Sequence, residues 1–229
     1  TDGQQWLHHV PDELREVGVL VEPLTIAMKS LIQIRDVQDR LPYLNKSELK
    51  KGELEGSTAV VLGGGAIGIL GALALLNSGA NVFVYSRSRE PNASASIVEE
   101  AGGEYVSSET VTPEQLVEMA GRVDIIYEAT GASQFAFEMT ELLGRNGIYI
   151  LTGVPGRKGP VKINTDRIMK DLVLKNQLII GTVNAGAQAH QAAVQTLGEL
   201  HRRWPHPLKS IITNIISPSE VSEVLTGEK

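Results

Sequence analysis

Thr58-Ala59-Val60-Val61-Leu62-Gly63-Gly64-Gly65-Ala66-Ile67-Gly68-Ile69-Leu70-Gly71-Ala72-Leu73-Ala74-Leu75-Leu76 decides the fold. It opens on a β-branched run, breaks at three successive glycines and resumes as an apolar stretch of helical length. A strand passing into a helix through Gly-x-Gly-x-x-Gly uses each glycine for a reason. The first permits the tight turn, the second lets a ligand approach the backbone, and the third lets the helix pack close to the sheet. Amides of the helix's first turn, among them those of Ala66 and Ile67, then present N–H groups and a positive dipole end to phosphates. The alternative is a glycine-rich packing turn without a ligand.

Working outward, strand patterns at 81–85, 105–106, 124–127, 148–151, 178–180 and 211–216 alternate with helical patterns at 92–101, 133–143, 165–172 and 187–203. Thr112-Pro113-Glu114-Gln115 has the form of a capping box with Pro at the first helical position, and Ser217-Pro218-Ser219-Glu220 repeats it. Upstream, an apolar run at 17–21 leads to Glu22-Pro23, where Leu24, Met28, Leu31 and Ile32 recur near helical period. A polar stretch follows from Arg35 to Gly56, its later part reading as a linker. Strands alternating with helices of this length imply βαβ units and a parallel sheet. The expected class is α/β, a Rossmann-type doubly wound parallel sheet. Residues 57–205 form the dinucleotide-binding domain in this reading, with a bridging helix and linker at 1–56 and a last strand and the start of a C-terminal return at 206–229.

The chain has 229 residues, 42% hydrophobic and 21% charged, with a formal net charge of −6. That balance argues against a general nucleic-acid surface, so an anion site must come from local geometry. With no cysteine in the sequence, disulfides, thiolate catalysis and cysteine-ligated zinc have no residues to use here. The sequence holds neither an apolar run of membrane-spanning length nor a signal-peptide pattern, and a cytoplasmic location is expected. The first residue is Thr1, not Met, which suggests a chain lacking its native start.

The second strand pattern runs into Tyr85-Ser86-Arg87-Ser88-Arg89, with no carboxylate before Glu90. NAD-specific members of this motif place an acidic residue there for the ribose 2′-hydroxyl. A carboxylate would repel a 2′-phosphate, whereas guanidinium groups grip it with charge-assisted bonds. Ser86, Arg87 and Arg89 are therefore the candidate 2′-phosphate pocket, and NADP is preferred over NAD. A solvated loop that happens to be basic is the alternative.

These residues resemble the medium-chain dehydrogenase/reductases, and within them the archaeal-type glucose dehydrogenases. The likeness lies in Gly18-Val19-Leu20-Val21-Glu22-Pro23-Leu24, the glycine turn, Glu128-Ala129-Thr130-Gly131-Ala132 with Leu143-Gly144-Arg145-Asn146-Gly147, and Ile179-Ile180-Gly181-Thr182-Val183-Asn184. The resemblance implies oxidation of an aldose at C1 to the lactone, with hydride passed to NADP. It implies zinc as a Lewis acid in the full-length enzyme, with Glu22 its ligand from this part, directly or through water. Asn184 would contact coenzyme and sugar, and Thr130, Gly131, Thr152 and Val154 would lie near the nicotinamide and its ribose. The family's remaining zinc ligands belong to a catalytic domain of which only short flanking segments are visible here. The chain thus reads as the coenzyme domain of a longer enzyme, binding nucleotide without turnover.

Plainer readings stay open: Glu22 as an acidic residue at a helix start, and Asn184 as a turn residue before Ala185-Gly186. The five histidines show no metal-ligand spacing shared with carboxylates. Other medium-chain alcohol, polyol or quinone oxidoreductases would use the same turn and basic loop. A non-catalytic NADPH sensor is a further alternative. Association into a homo-oligomer through an edge strand is possible, with 211–216 the apolar candidate.

Overall fold

The computed structural model describes residues 7–38, 54–156 and 159–226. Most of the expected linker lies outside the described residues. The first described elements are two 3-10 turns, Asp12–Leu14 and Gly18–Leu20. They run into α1, Val21–Gln38, with Pro23 in its first turn, where a missing N–H costs nothing. Leu24, Ala27, Met28, Leu31 and Ile34 are buried at helical spacing and give α1 one apolar face.

The remaining chain alternates as expected. It runs β1 Thr58–Leu62, α2 Ala66–Asn77, β2 Asn81–Ser86, α3 Ala93–Glu100, β3 Glu104–Ser107, α4 Pro113–Ala120, β4 Val123–Glu128, α5 Ser133–Glu138, β5 Leu143–Leu151, α6 Thr165–Leu174, β6 Leu178–Gly181, α7 Ala187–Arg203, α8 Pro205–Ser210 and α9 Val221–Thr226. The six strands form one sheet in the order β3-β2-β1-β4-β5-β6, every ladder parallel. Winding reverses between β1 and β4, the switch point where open α/β sheets bind ligands beyond the carboxyl ends of their strands. Leu62 pairs with both Tyr85 and Glu128, so β1, β2 and β4 end level with one another.

Alternate residues of each strand feed opposite faces, as the period of two requires. Ala59, Val61, Val82, Val84, Ile125 and Tyr127 join α1, α2, α3, α7 and α8 in one core. Val60, Leu62, Phe83, Tyr85, Ile126 and Tyr149 join Leu116 of α4 and Met139 in the other. Helix α2 is apolar all round because it is covered all round: every residue from Gly68 to Leu76 is buried. Gly71 permits that approach, since a Cβ there would stand 2.5 Å from the Tyr127 ring. The Thr112 box makes both reciprocal bonds, 2.8 Å from Thr112 N–H to Gln115 and 3.3 Å from Gln115 N–H to the threonine hydroxyl.

One expected element is corrected. Residues 211–216 form no strand. The preceding Pro205-His206-Pro207 starts α8 instead, and Ile211 and Ile212 donate backbone bonds to Leu208 and Lys209 as its continuation. Residues 213–216 then have no sheet partner among the described residues, and Ile215 is 93% exposed. A β-branched run supplies propensity, but a strand also needs a ladder. Trp204, at the end of α7, is buried beneath the exposed Arg203, whose guanidinium lies 4.3 Å from its ring centre.

Candidate functional site

A cleft of about 480 Å³ opens beyond the carboxyl ends of β1, β2 and β4. It is lined by Gly63, Gly65, Tyr85, Ser86, Arg87 and Thr130, among others. The glycine turn forms its floor. Gly63 sits at φ +105°, outside the ordinary range of L-residues, and donates its N–H to the Tyr85 carbonyl at 3.0 Å. Gly65 is the N-cap of α2, extended at φ −76° and ψ 176°, with open space where a side chain would stand. A Cβ on Gly68 would lie 2.0 Å from the Gly63 carbonyl oxygen. The third glycine therefore closes the turn on itself, while Gly71 brings the helix to the sheet. No acidic residue occupies the first turn of α2, so its positive end, around Ala66 and Ile67, is not neutralised there.

The loop after β2 is tied to this turn. Gly64 N–H donates to Ser86 Oγ at 3.2 Å, and Ser94 Oγ donates to the Gly64 carbonyl at 2.7 Å. Since Ser86 accepts there, its own hydroxyl proton stays available for another acceptor. Arg87 is exposed at the cleft, its carbonyl held by Ser107 Oγ at 3.3 Å. Arg89 stands outside the lining and pairs with Glu109, Nε to Oε2 at 2.6 Å. Of the three candidate phosphate residues, two are at the cleft and the third is held beside it.

Across the cleft, Glu128 ends β4 with 1% of its surface exposed. Its Oε1 accepts from Thr130 N–H at 2.6 Å, Thr130 Oγ1 at 2.6 Å and Gly131 N–H at 2.9 Å, and its Oε2 accepts from Gly153 N–H at 3.2 Å. Its carbonyl accepts from Thr152 N–H at 3.0 Å and Oγ1 at 2.7 Å. One buried carboxylate thereby stitches the loop after β4 to the loop after β5. Gly131, at φ +64°, has no room for a Cβ, which would lie 2.6 Å from the Val154 carbonyl oxygen. The structure brings Thr130, Gly131, Thr152 and Val154 together at adjoining strand ends. Tyr85, stacked on Phe135 with ring centres 6.1 Å apart, donates its phenol to the Val111 carbonyl at 2.6 Å. Burial, and then the charge of Glu114, push that phenol above its ordinary pKa.

Asn184 follows β6 on the same rim of the sheet, exposed and at φ +54°. Thr182 N–H donates to the Leu151 carbonyl at 2.9 Å, setting this segment beside the end of β5. Glu22 is exposed in the first turn of α1. Among the described residues, no group of three or more His, Cys, Asp or Glu is gathered to hold a metal ion. No described helix is long and apolar enough to cross a membrane.

The family model describing the C-terminus of glucose dehydrogenase matches residues 15–228. This chain belongs to that family. Over its whole length it is 33% identical to a glucose 1-dehydrogenase of Methanocella arvoryzae, of which it covers 61%. With a glucose 1-dehydrogenase of Thermoproteus tenax it shares 32% identity, over 92% of this chain and 56% of that protein. The fold superimposes on glucose dehydrogenase of Haloferax mediterranei with a TM-score of 0.81 and 26% identity, covering 96% of this chain and 58% of that one. A structure of that enzyme in complex with NADP, zinc and gluconolactone matches with a TM-score of 0.79 at 27% identity, over 93% and 56% of the two chains. The chain thus spans about three-fifths of the proteins that it resembles.

Sequence reasoning did not single out Ser94, Ser108, Phe135 or the role of Glu128. Glu128 carried a usable signal. A lone carboxylate closing the run Ile125-Ile126-Tyr127 must be buried with donors, and Thr130-Gly131 supplies them. Ser94, Ser108 and Phe135 reach the turn or its cleft only through tertiary packing.

Proposed function

We propose that this chain is the NADP-binding part of a zinc-containing medium-chain sugar dehydrogenase, which oxidises the C1 hydroxyl of an aldose to the lactone. The observation carrying this reading is the 63–68 turn, which joins β1 to α2 at the switch point with Ser86 and Arg87 on the same cleft. The family membership and the NADP, zinc and gluconolactone held by the Haloferax enzyme support it. Residues 57–205 form the coenzyme domain proper in this reading, 1–56 the bridge to a catalytic domain, and 206–229 the return.

NADP, when bound, supplies the acceptor for the hydride leaving C1. Gly65, Ala66, Ile67 and Gly68 offer amides to the pyrophosphate. Ser86 and Arg87 hold the 2′-phosphate, Arg89 stands beside them paired with Glu109, and Tyr85, Phe135 and Ala129 give the adenine an apolar wall. Thr130, Gly131, Thr152 and Val154 face the nicotinamide half, fixed in place by Glu128. Asn184 orients coenzyme and sugar. Glu22 is one ligand of the zinc site in this proposal, but the described residues do not make up a metal site by themselves.

The test is titration of the 229-residue chain with NADPH and NADH. NADPH should bind at least about tenfold more tightly, and Arg87→Ala should remove about 10- to 100-fold of its affinity while leaving NADH unchanged. Equal affinities for the two coenzymes would overturn the 2′-phosphate assignment.

A further inference from the structure

Lys29 has no part in the reading above, yet it makes a long-range polar clamp on the segment after β6. Its ammonium donates to the carbonyls of Val183 at 2.6 Å and Asn184 at 2.9 Å, respectively 154 and 155 residues away. Successive carbonyls of an extended chain point to opposite sides. Two of them can converge on one ammonium only where the backbone bends between them, and Asn184 bends at φ +54°. Asn tolerates this left-handed region better than most residues, but the conformation still competes with extended ones.

The anchor behind the clamp is rigid. Met28 and Ser30, on either side of Lys29, are buried, and α1 packs along α2 and α7. Lys29 lies seven residues beyond Glu22, two turns along α1 and on nearly the same helix face, about 10.5 Å along the axis. The same face thus carries the candidate metal ligand and the group holding the Asn184 bend.

We propose that Lys29 is a positioning residue, whose ammonium selects the bent backbone of Val183-Asn184 and so fixes Asn184 against the nicotinamide half of the coenzyme. The inference rests on the assignment of Asn184 as a coenzyme contact. The adenosine half lies across the sheet at β2, so the clamp affects one end of the ligand and not the other.

The experiment compares NADPH with 2′,5′-ADP, which carries only the adenosine end, on the parent chain and on Lys29→Met, Lys29→Arg and Asn184→Ala. Lys29→Met should weaken NADPH about tenfold and leave 2′,5′-ADP within about twofold. Lys29→Arg, which retains a charged donor able to serve two acceptors, should recover most of the loss. Loss of both ligands together in Lys29→Met, or loss of neither, overturns the proposal. If Asn184→Ala weakens NADPH and Lys29→Met does not, only the clamp is wrong. If neither variant affects NADPH, the coenzyme role of Asn184 falls and the clamp's role with it. A parent chain that fails to bind 2′,5′-ADP refutes the NADP reading itself.

Discussion

Replacing Gly65 by Ala separates the fold from the site. At φ −76° and ψ 176° the position is open to any residue, and an added Cβ meets no atom within 4 Å. Two small effects on stability oppose each other. Ala restricts the unfolded chain and stabilises by about 0.4–1 kcal/mol, while Ala is a poorer N-cap than Gly by a similar amount. The uncomplexed variant should therefore unfold within about 1 kcal/mol of the parent. Coenzyme binding should behave differently, because the new methyl group enters the cleft where phosphate oxygens must come within about 3 Å of the α2 amides. Losing one or two charge-assisted bonds costs about 2–4 kcal/mol, or roughly 30- to 1,000-fold in Kd. Urea unfolding without ligand and calorimetric titration with NADPH read the two quantities separately. The stabilisation given by saturating NADPH, about 2.7 kcal/mol at a hundred times Kd in the parent, should fall below about 1 kcal/mol in the variant at the same concentration. A Gly65→Ala protein of unchanged stability that bound NADPH as tightly as the parent would show that phosphates do not dock on this turn.

Gly68→Ala should behave in the opposite way. A Cβ 2.0 Å from the Gly63 carbonyl oxygen outweighs the gain in helix propensity of about 1 kcal/mol, so the uncomplexed protein should lose roughly 2–4 kcal/mol in urea unfolding; parent-like stability would contradict the turn geometry. Glu128→Gln keeps the Oε1 acceptor but sets an amide against the Gly153 N–H, at an expected cost of about 1–3 kcal/mol. Glu128→Ala strands the Thr130 and Gly131 amides and the Thr130 hydroxyl and leaves the Gly153 N–H only its 3.3 Å bond to the Glu128 carbonyl, at about 3 kcal/mol or more, and a loss under about 1 kcal/mol by the same assay would contradict this network. Burial raises the phenol pKa values of Tyr85, Tyr127 and Tyr149 above their unfolded value of about 10. Their contribution is thus complete below pH 10 and is lost as pH rises towards the folded values, so urea midpoints should fall between pH 9.5 and about 11.5. Tyr149→Phe should flatten that fall, and a midpoint independent of pH in this window would contradict the burial of these phenols.

The parts legible in sequence are those decided locally. Glycines 63–65 between a β-branched run and an apolar helix, Pro23 at a helix start, and the Thr112 box each specify their geometry within a few residues. The doubly wound parallel sheet followed because strands alternating with helices allow few alternatives, although no strand order was read from the sequence. Residues 211–216 failed for the opposite reason: their composition suits a strand, but whether a strand forms depends on a neighbouring ladder that no local pattern reports. Lys29 was invisible on the same ground. Its partners lie more than 150 residues away and are carbonyls, which every residue possesses. The cleft shows both cases, since Ser86 and Arg87 follow from one strand end while Phe135 arrives from α5.

The electrostatics of the cleft are consistent with the proposal that a chain of net charge −6 holds a ligand carrying several phosphates. What matters is where each negative charge is directed. Glu128, the carboxylate nearest the strand ends, is buried and accepts from four donors, so its charge is spent inside the loops that it joins. Glu109 offsets Arg89, and both lie outside the lining. The cleft keeps the α2 dipole and Arg87, with the Ser86 hydroxyl as a further donor. At about 0.15 M salt, charges more than about 8 Å away through solvent are largely screened, so a surface carboxylate enters only when close, as Glu114 is to the Tyr85 phenol. Overall charge therefore argues against a phosphate-tracking surface without bearing on a single phosphate pocket. The same balance makes Glu109 a lever: removing it would unmask Arg89 beside the cleft and strengthen 2′-phosphate binding without touching the glycine turn.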